Sequence, residues 1–148
     1  MSVREMRPSK RQVDGLRDLT KFFPDEASMI EVGCYSGEST EIWLNSEKIS
    51  NLICVDPWTL VQNKNDHYKL SVMEKVEANF DAVIKGRGVV KMKGFSKDIL
   101  VELISKDTKV DVIYIDGDHR YEAVKADIEA ALLLIKENGI ITGHDIDH

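Results

Sequence analysis

The chain has 148 residues, a net charge of −6, and 43% hydrophobic and 31% charged residues, which fits one globular domain over residues 1–148 with a single substantial core. The acidic balance argues against nucleic acid as the main partner, because phosphate recognition needs a basic field. No apolar run approaches the roughly 20 residues of a membrane span and the N-terminus lacks a signal peptide's apolar core, so no membrane partner and a cytoplasmic location are expected.

The basic cluster from Arg7 to Arg11 reads as a solvated N-terminal charge run. Val13, Leu16, Leu19 and Phe22/Phe23 then recur at helical spacing until Pro24-Asp25 ends the pattern. Met29 to Val32 is predicted as the first strand and Ser39 to Asn45 as the following helix, with Ser36, Ser39 and Thr40 as candidate caps. A short apolar strand, Leu52 to Asp56, leads to Pro57-Trp58, a polar stretch from Thr59 to Asp66, and a helix from Tyr68 to Ile84. Gly86-Arg-Gly88 ends that helix, and Val89 to Met92 is the third strand. Ser96 is placed to cap a helix over Lys97 to Ser105, and Val110 to Ile115 forms the fourth strand. The last helix is predicted over Tyr121 to Glu137, with Val124, Ile128, Ala131 and Ile135 as its stripe and Asn138-Gly139 as its stop. Ile140 to Thr142 begins a fifth strand. Such alternation implies an α/β fold of the Rossmann-like, doubly wound kind, a mostly parallel sheet with helices on both faces.

Ligands of such sheets sit beyond the carboxyl ends of the strands. Here each strand hands over to polar or glycine-rich residues at that end: Gly33, Asp56, Gly94 to Ser96, Asp116 to His119, and His144-Asp145. Gly33 and Gly37 permit a tight turn and a close backbone approach to a ligand. Their Gly-x-x-x-Gly spacing is not the Gly-x-Gly-x-x-Gly of a dinucleotide fingerprint. With the acidic Glu31 just before the turn, it points to a ligand bearing an amine and a ribose rather than a pyrophosphate. Asp56 stands about 20 residues beyond the turn, where a carboxylate can accept both ribose hydroxyls. It also suits a plain turn before proline. Cys34 and Cys54 lack disulfide-framework or metal-type spacing and read as small reduced residues at neighbouring strand ends.

Five segments, Glu31-Val-Gly-Cys-Tyr-Ser-Gly-Glu-Ser39, Asp56-Pro-Trp58, Gly94-Phe-Ser-Lys-Asp98, Ile115-Asp-Gly-Asp-His119 and Gly139-Ile-Ile-Thr-Gly-His-Asp145, follow one another in a telling order. From Met29 to Asp145 the chain resembles a class I S-adenosylmethionine-dependent methyltransferase, of the branch related to catechol-type and sugar or macrolide O-methyltransferases. The resemblance implies a cofactor site in which Gly33, Tyr35 and Gly37 hold the methionine moiety, with Glu31 and Ser39 near its amine and carboxylate. It implies that Asp56 binds the ribose and that Phe95 and Ser96 flank the adenine. Asp116 and Asp145 match the positions where metal-dependent members place two carboxylates for Mg²⁺. Asp116 thereby joins the cofactor, metal and catalytic sets, and His119 falls where catechol-type enzymes carry a catalytic lysine. The implied reaction is methylation of a hydroxyl on a small-molecule acceptor such as a sugar, a phenol or a polyketide-like compound. Two departures are visible. Ile146 follows the second metal aspartate where the catechol branch has asparagine, and the two further strands usual for the fold do not follow His148. Either the chain continues in a longer protein or another chain, as in a homo-oligomer, covers the open fifth strand.

Plainer roles stand beside these. Asp116 and Asp118 suit backbone N–H groups of their turn and the cap of the next helix, and His119 suits a hydrogen-bonded turn residue. His144 suits a second metal or substrate ligand, or an orienting polar group. Trp58 reads as packing or pocket lining. Two other classes compete with the enzyme: a catalytically idle nucleotide- or partner-binding domain, and a nicotinamide-binding dehydrogenase fragment that the glycine spacing disfavours.

Overall fold

In the computed structural model of the chain, which describes residues 9–59 and 67–144, five helices and five strands alternate. They are α1 (Lys10–Thr20), β1 (Ala27–Val32), α2 (Glu38–Asn45), β2 (Ile49–Asp56), α3 (His67–Ile84), β3 (Val90–Lys93), α4 (Ser96–Ser105), β4 (Val110–Ile115), α5 (Tyr121–Leu134) and β5 (Ile135–Gly143). The strands form one sheet in the order β3-β2-β1-β4-β5, and every pairing is parallel. The chain winds outward from β1 to β3, then crosses back to β4, so the topological switch lies between β1 and β4.

Period-two alternation sends neighbouring residues of β1 into separate cores. Ala27 and Met29 join Phe23, Trp43, Leu52, Phe80 and Tyr114 on one face of the sheet. Ile30 and Val32 join Leu100, Leu103, Ile113, Ala131 and Leu134 on the other. This double burial is why β1 and β4 read as nearly continuous apolar runs. The expected fold class is therefore observed, with helices on both faces.

Local details differ from expectation. The cap of α1 is Ser9, whose hydroxyl accepts from the Gln12 N–H while Gln12 Oε1 accepts from the Ser9 N–H, a complete capping box. None of Ser36, Ser39 and Thr40 caps α2; the cap is Gly37, in the left-handed region at φ 93°. Phe95, not Ser96, is the N-cap of α4, and Ser96 is its first helical residue. Helix α5 ends at Leu134, three residues before Glu137, and Ile135 already pairs with Val110 of β4. The next partners are Val112 and Ile140, so residues 136–139 bulge out of β5. Asn138, at φ 65°, serves that bulge rather than a helix stop, because Asn-Gly specifies a left-handed turn without specifying which element it interrupts. The buried line of α5 is correspondingly Asp127, Ala131 and Leu134 rather than the line through Ile135.

Among the described residues no helix is long and apolar enough to cross a membrane.

Candidate active site

The turns at the carboxyl ends of the strands and one side of α1 enclose a continuous cleft of about 1830 Å³. That exceeds the roughly 300–1,000 Å³ of a site for a single small molecule and leaves space for two ligands side by side. Of the residues singled out by sequence, Gly33, Tyr35, Ser39, Asp56, Phe95, Ser96, Asp116 and His119 line it. Glu31 and Gly37 do not. Asp145 lies outside the described residues, as do Ile146 and all but the first residue of the polar stretch from Thr59 to Asp66.

Glu31 falls on the β1 face that α2 covers and is fully buried. The Ser39 hydroxyl donates to one carboxylate oxygen, and the Thr40 hydroxyl donates to the other at 2.7 Å. Burial pushes its pKa up from 4.5 to about 7, against the lowering effect of the Ser39 and Thr40 hydrogen bonds. Glu31 thus ties the first turn of α2 to the strand. Glu31 itself does not line the cleft, which it reaches through Ser39.

Gly33 has φ 86°, and a Cβ there would stand 2.0 Å from the Asp116 carbonyl oxygen. Its small size admits the backbone of the neighbouring β4 turn, a reason for glycine in addition to the ligand approach expected from sequence. The close approach is fixed by hydrogen bonds from Gly33 N–H to the Val55 carbonyl (2.9 Å) and from Asp116 N–H to the Val32 carbonyl (2.7 Å).

Asp56 organises the turn. Its Oδ2 accepts from the Cys34 and Tyr35 N–H groups at 2.9 and 3.0 Å, and its Oδ1 accepts from the Trp58 N–H at 2.7 Å. A carboxylate has about four acceptor positions, so roughly one is left for a ligand. Tyr35 and Trp58, flanking this carboxylate, both hold positive φ (50° and 42°), a strain that clusters at functional sites. Trp58 is buried, donates from Nε1 to the Tyr35 carbonyl at 2.8 Å and stacks on Phe80 at 4.7 Å. It packs, as the sequence suggested.

Beyond β4, Asp116, His119 and His144 converge. His119 Nε2 is 3.5 Å and His144 Nδ1 is 3.8 Å from Asp116 Oδ1, and the two imidazoles meet edge to face at 6.0 Å. One donor atom from each lies within 4.8 Å of the other two. This set fits a divalent ion, and one oxygen with two imidazole nitrogens suits borderline ions better than Mg²⁺, which prefers oxygen throughout. His144, weighed from sequence as a second metal or substrate ligand or an orienting polar group, is a member of the cluster. Asp118 instead accepts from the Arg120 backbone N–H at 2.9 Å and pairs with the Arg120 guanidinium, whose hydrogen bonds hold its carboxyl below the usual range. This is the plainer, turn-forming role.

Sequence reasoning passed over Asp127. It is 2% exposed, lines the cleft from α5, and accepts a hydrogen bond from Ser96 Oγ at 2.6 Å. The signal was available: three residues after Val124 and four before Ala131, a carboxylate stands in the buried line of an amphipathic helix.

Comparison with known proteins agrees with this fold. A family profile described as a methyltransferase domain matches residues 30–146, and the chain belongs to that family. An uncharacterized protein, R132, of Acanthamoeba polyphaga mimivirus is 28% identical over 126 residues, 84% of this chain and 53% of that protein. An O-methyltransferase from Bacillus cereus, solved with S-adenosylhomocysteine (SAH), superposes with a TM-score of 0.65 at 21% identity, over 93% of this chain and 57% of that one. CalS11, a TDP-rhamnose 3′-O-methyltransferase of calicheamicin biosynthesis, gives 0.57 at 18% identity, over 93% and 62%. A SAM-dependent methyltransferase from Thiobacillus denitrificans with bound SAH gives 0.58 at 17%, over 90% and 47%. The chain thus spans about half the length of the curated relative and between 47% and 62% of these solved chains.

Proposed function

We propose that the protein is an S-adenosylmethionine-dependent O-methyltransferase acting on a small hydroxylated molecule, a sugar, phenol or polyketide-like compound. The observation that carries this reading is the charge of the cleft. Glu38, Asp56, Asp116, Asp118, Glu122 and Asp127 line it against Lys97 and Arg120. Such a wall repels a pyrophosphate and attracts a cation. S-adenosylmethionine carries a sulfonium and an ammonium against one carboxylate, which suits that field.

When bound, the cofactor supplies a sulfonium methyl that passes to the acceptor oxygen as the S–C bond breaks, leaving a neutral thioether. The chain's own residues do the rest. The turn from Gly33 to Tyr35, clamped by Asp56, holds one end of the cofactor, and Phe95 and Ser96 meet its base. His119, oriented by Asp116 through Nε2, takes the acceptor's hydroxyl proton at its other ring nitrogen, Nδ1. Holding the acceptor oxygen in line is worth more than any single proton transfer, so the α1 wall, with Gln12, Leu16 and Leu19 on the cleft, matters to rate through positioning.

Metal assistance is supported by the same cluster. An ion there would be held by Asp116 and His144, with Asp145 next in the chain, and would lower the acceptor hydroxyl's pKa. His119 cannot serve as ligand and base through the same nitrogen, so the two uses are separable. Calorimetry with S-adenosylmethionine and with NAD tests the cofactor: no heat with the former ends this reading. SAH production over a panel of phenols and sugars, with Mg²⁺, Mn²⁺ or chelator, tests activity and ion dependence together. Turnover unchanged by a chelator rejects metal assistance.

A further inference from the structure

Asp127 has a feature that the turn-clamping carboxylates lack. Glu31 and Asp56 have both oxygens engaged, whereas Asp127 Oδ2 has no hydrogen-bond partner among the described residues. It lies beneath the β4 turn, 3.7 Å from where a Cβ on Gly117 would stand. A buried carboxylate with an unmet oxygen costs stability, and burial accordingly raises its pKa, against the lowering effect of the Ser96 hydrogen bond. Under-satisfied buried polar groups in native folds call for a functional explanation.

Its other oxygen supplies the direction. Because Asp127 Oδ1 accepts the Ser96 hydroxyl proton, that proton is committed to the carboxylate and Ser96 Oγ is left with its lone pairs for any other partner. Ser96 and Phe95 both line the cleft, and Phe95 remains 39% exposed beside the hydroxyl. An apolar ring next to a hydroxyl that can only accept is a surface for a planar base that carries an amine at that position. It rejects a base presenting a carbonyl at the same position.

We infer that Asp127 is a specificity-determining positioning residue. Acting through Ser96, it holds that hydroxyl as an acceptor and so selects an amino-bearing purine over a keto-bearing one. The inference rests on the cofactor reading above and adds how its base is chosen. It also accounts for a carboxylate in the buried line of α5, which packing alone would fill with an aliphatic residue.

The test is binding of SAH and of S-inosylhomocysteine, which has an oxo group in place of the 6-amine, measured by calorimetry. The wild-type protein is expected to prefer the adenosyl compound by about tenfold or more, the scale of one hydrogen bond exchanged for an acceptor–acceptor clash. Ser96→Ala and Asp127→Ala should each reduce the preference to within about threefold. The double variant should reduce it no further, because the two act as one unit. Asp127→Leu, with a similar branched shape, is measured alongside, so that a packing defect in the alanine protein does not decide the matter. A preference retained in folded Asp127→Leu overturns the inference and leaves the cofactor reading intact. Additive effects of the Ser96 and Asp127 substitutions overturn it as well. Failure of the wild-type protein to bind either compound rejects both.

Discussion

Replacing Glu31 by glutamine should change how stability depends on pH. The wild-type carboxyl is fully buried and its pKa rises from 4.5 to about 7 on folding. Between those values the folded state holds a proton that the unfolded state has released, so the folded form binds more protons and stability falls as pH rises. The contribution is fully present below 4.5 and lost as pH climbs through about 7. At 1.36 kcal/mol per pH unit, the interval amounts to about 3 kcal/mol. Glutamine is neutral throughout. Its carboxamide can accept from one of the Ser39 and Thr40 hydroxyls and donate to the other, since hydroxyl rotors turn. The wild-type-minus-variant difference in unfolding free energy, measured in urea, should therefore shift by about 3 kcal/mol toward the glutamine protein between pH 4.5 and 8. In melting temperature this is about 6–12 °C for a chain of this size. Taking the difference cancels the other carboxylates, which titrate in both proteins. A difference that stays flat across this range would show that Glu31 ionises as readily inside as outside, and the account of its burial would fail.

Gly33→Ala should cost more than about 4 kcal/mol in chemical denaturation, since its Cβ meets the Asp116 carbonyl at 2.0 Å from a positive φ; a cost below about 1 kcal/mol would mean that the two turns separate freely. Asp56→Asn must point an amide N–H at one of the backbone N–H groups the carboxylate now receives. It should lose about 1–3 kcal/mol of stability and more than tenfold in SAH affinity, and unchanged calorimetry would remove Asp56 from the site. His119→Ala should lower turnover by about a hundredfold or more and flatten the acidic limb of the pH–rate profile. Mn²⁺ affinity should then stay within about threefold of wild type, whereas a larger loss makes His119 an ion ligand instead of a base.

The fold was legible because the central strands β1 and β4 are short and largely apolar and the strands are followed by turn residues that make sense at a sheet's carboxyl edge. The gathering of Gly33, Asp56, Ser96 and Asp116 on one rim follows from that alone. Side-chain assignments within the rim were less legible, for a physical reason. Sequence shows that a carboxylate is present but not how many donors the folded backbone aims at it. Glu31 looked like a ligand group because acids are rarely buried, yet the hydroxyls of Ser39 and Thr40, one turn into α2, make burial tolerable. Asp127 was overlooked for the converse reason, since a lone acid on a helix usually faces water. The early end of α5 was not visible because Asn138-Gly139 marks a backbone conformation that a strand bulge uses as readily as a helix stop.

Under the proposed function, the selectivity of the Gly-x-x-x-Gly turn would come from what already occupies it. In a dinucleotide fold the N–H groups after the first strand await a phosphate. Here the Asp56 carboxylate takes the Cys34 and Tyr35 N–H groups. Glu38 adds a negative charge in the first turn of α2, and that charge meets the positive end of the helix dipole. An incoming pyrophosphate would meet anions where it needs donors. A positively charged ligand meets a turn already closed, acidic and pinned to β1 and β4. On the proposed cofactor reading, exclusion of a dinucleotide and attraction of a sulfonium would share a cause at this turn, an aspartate that fills the anion nest with the protein's own side chain.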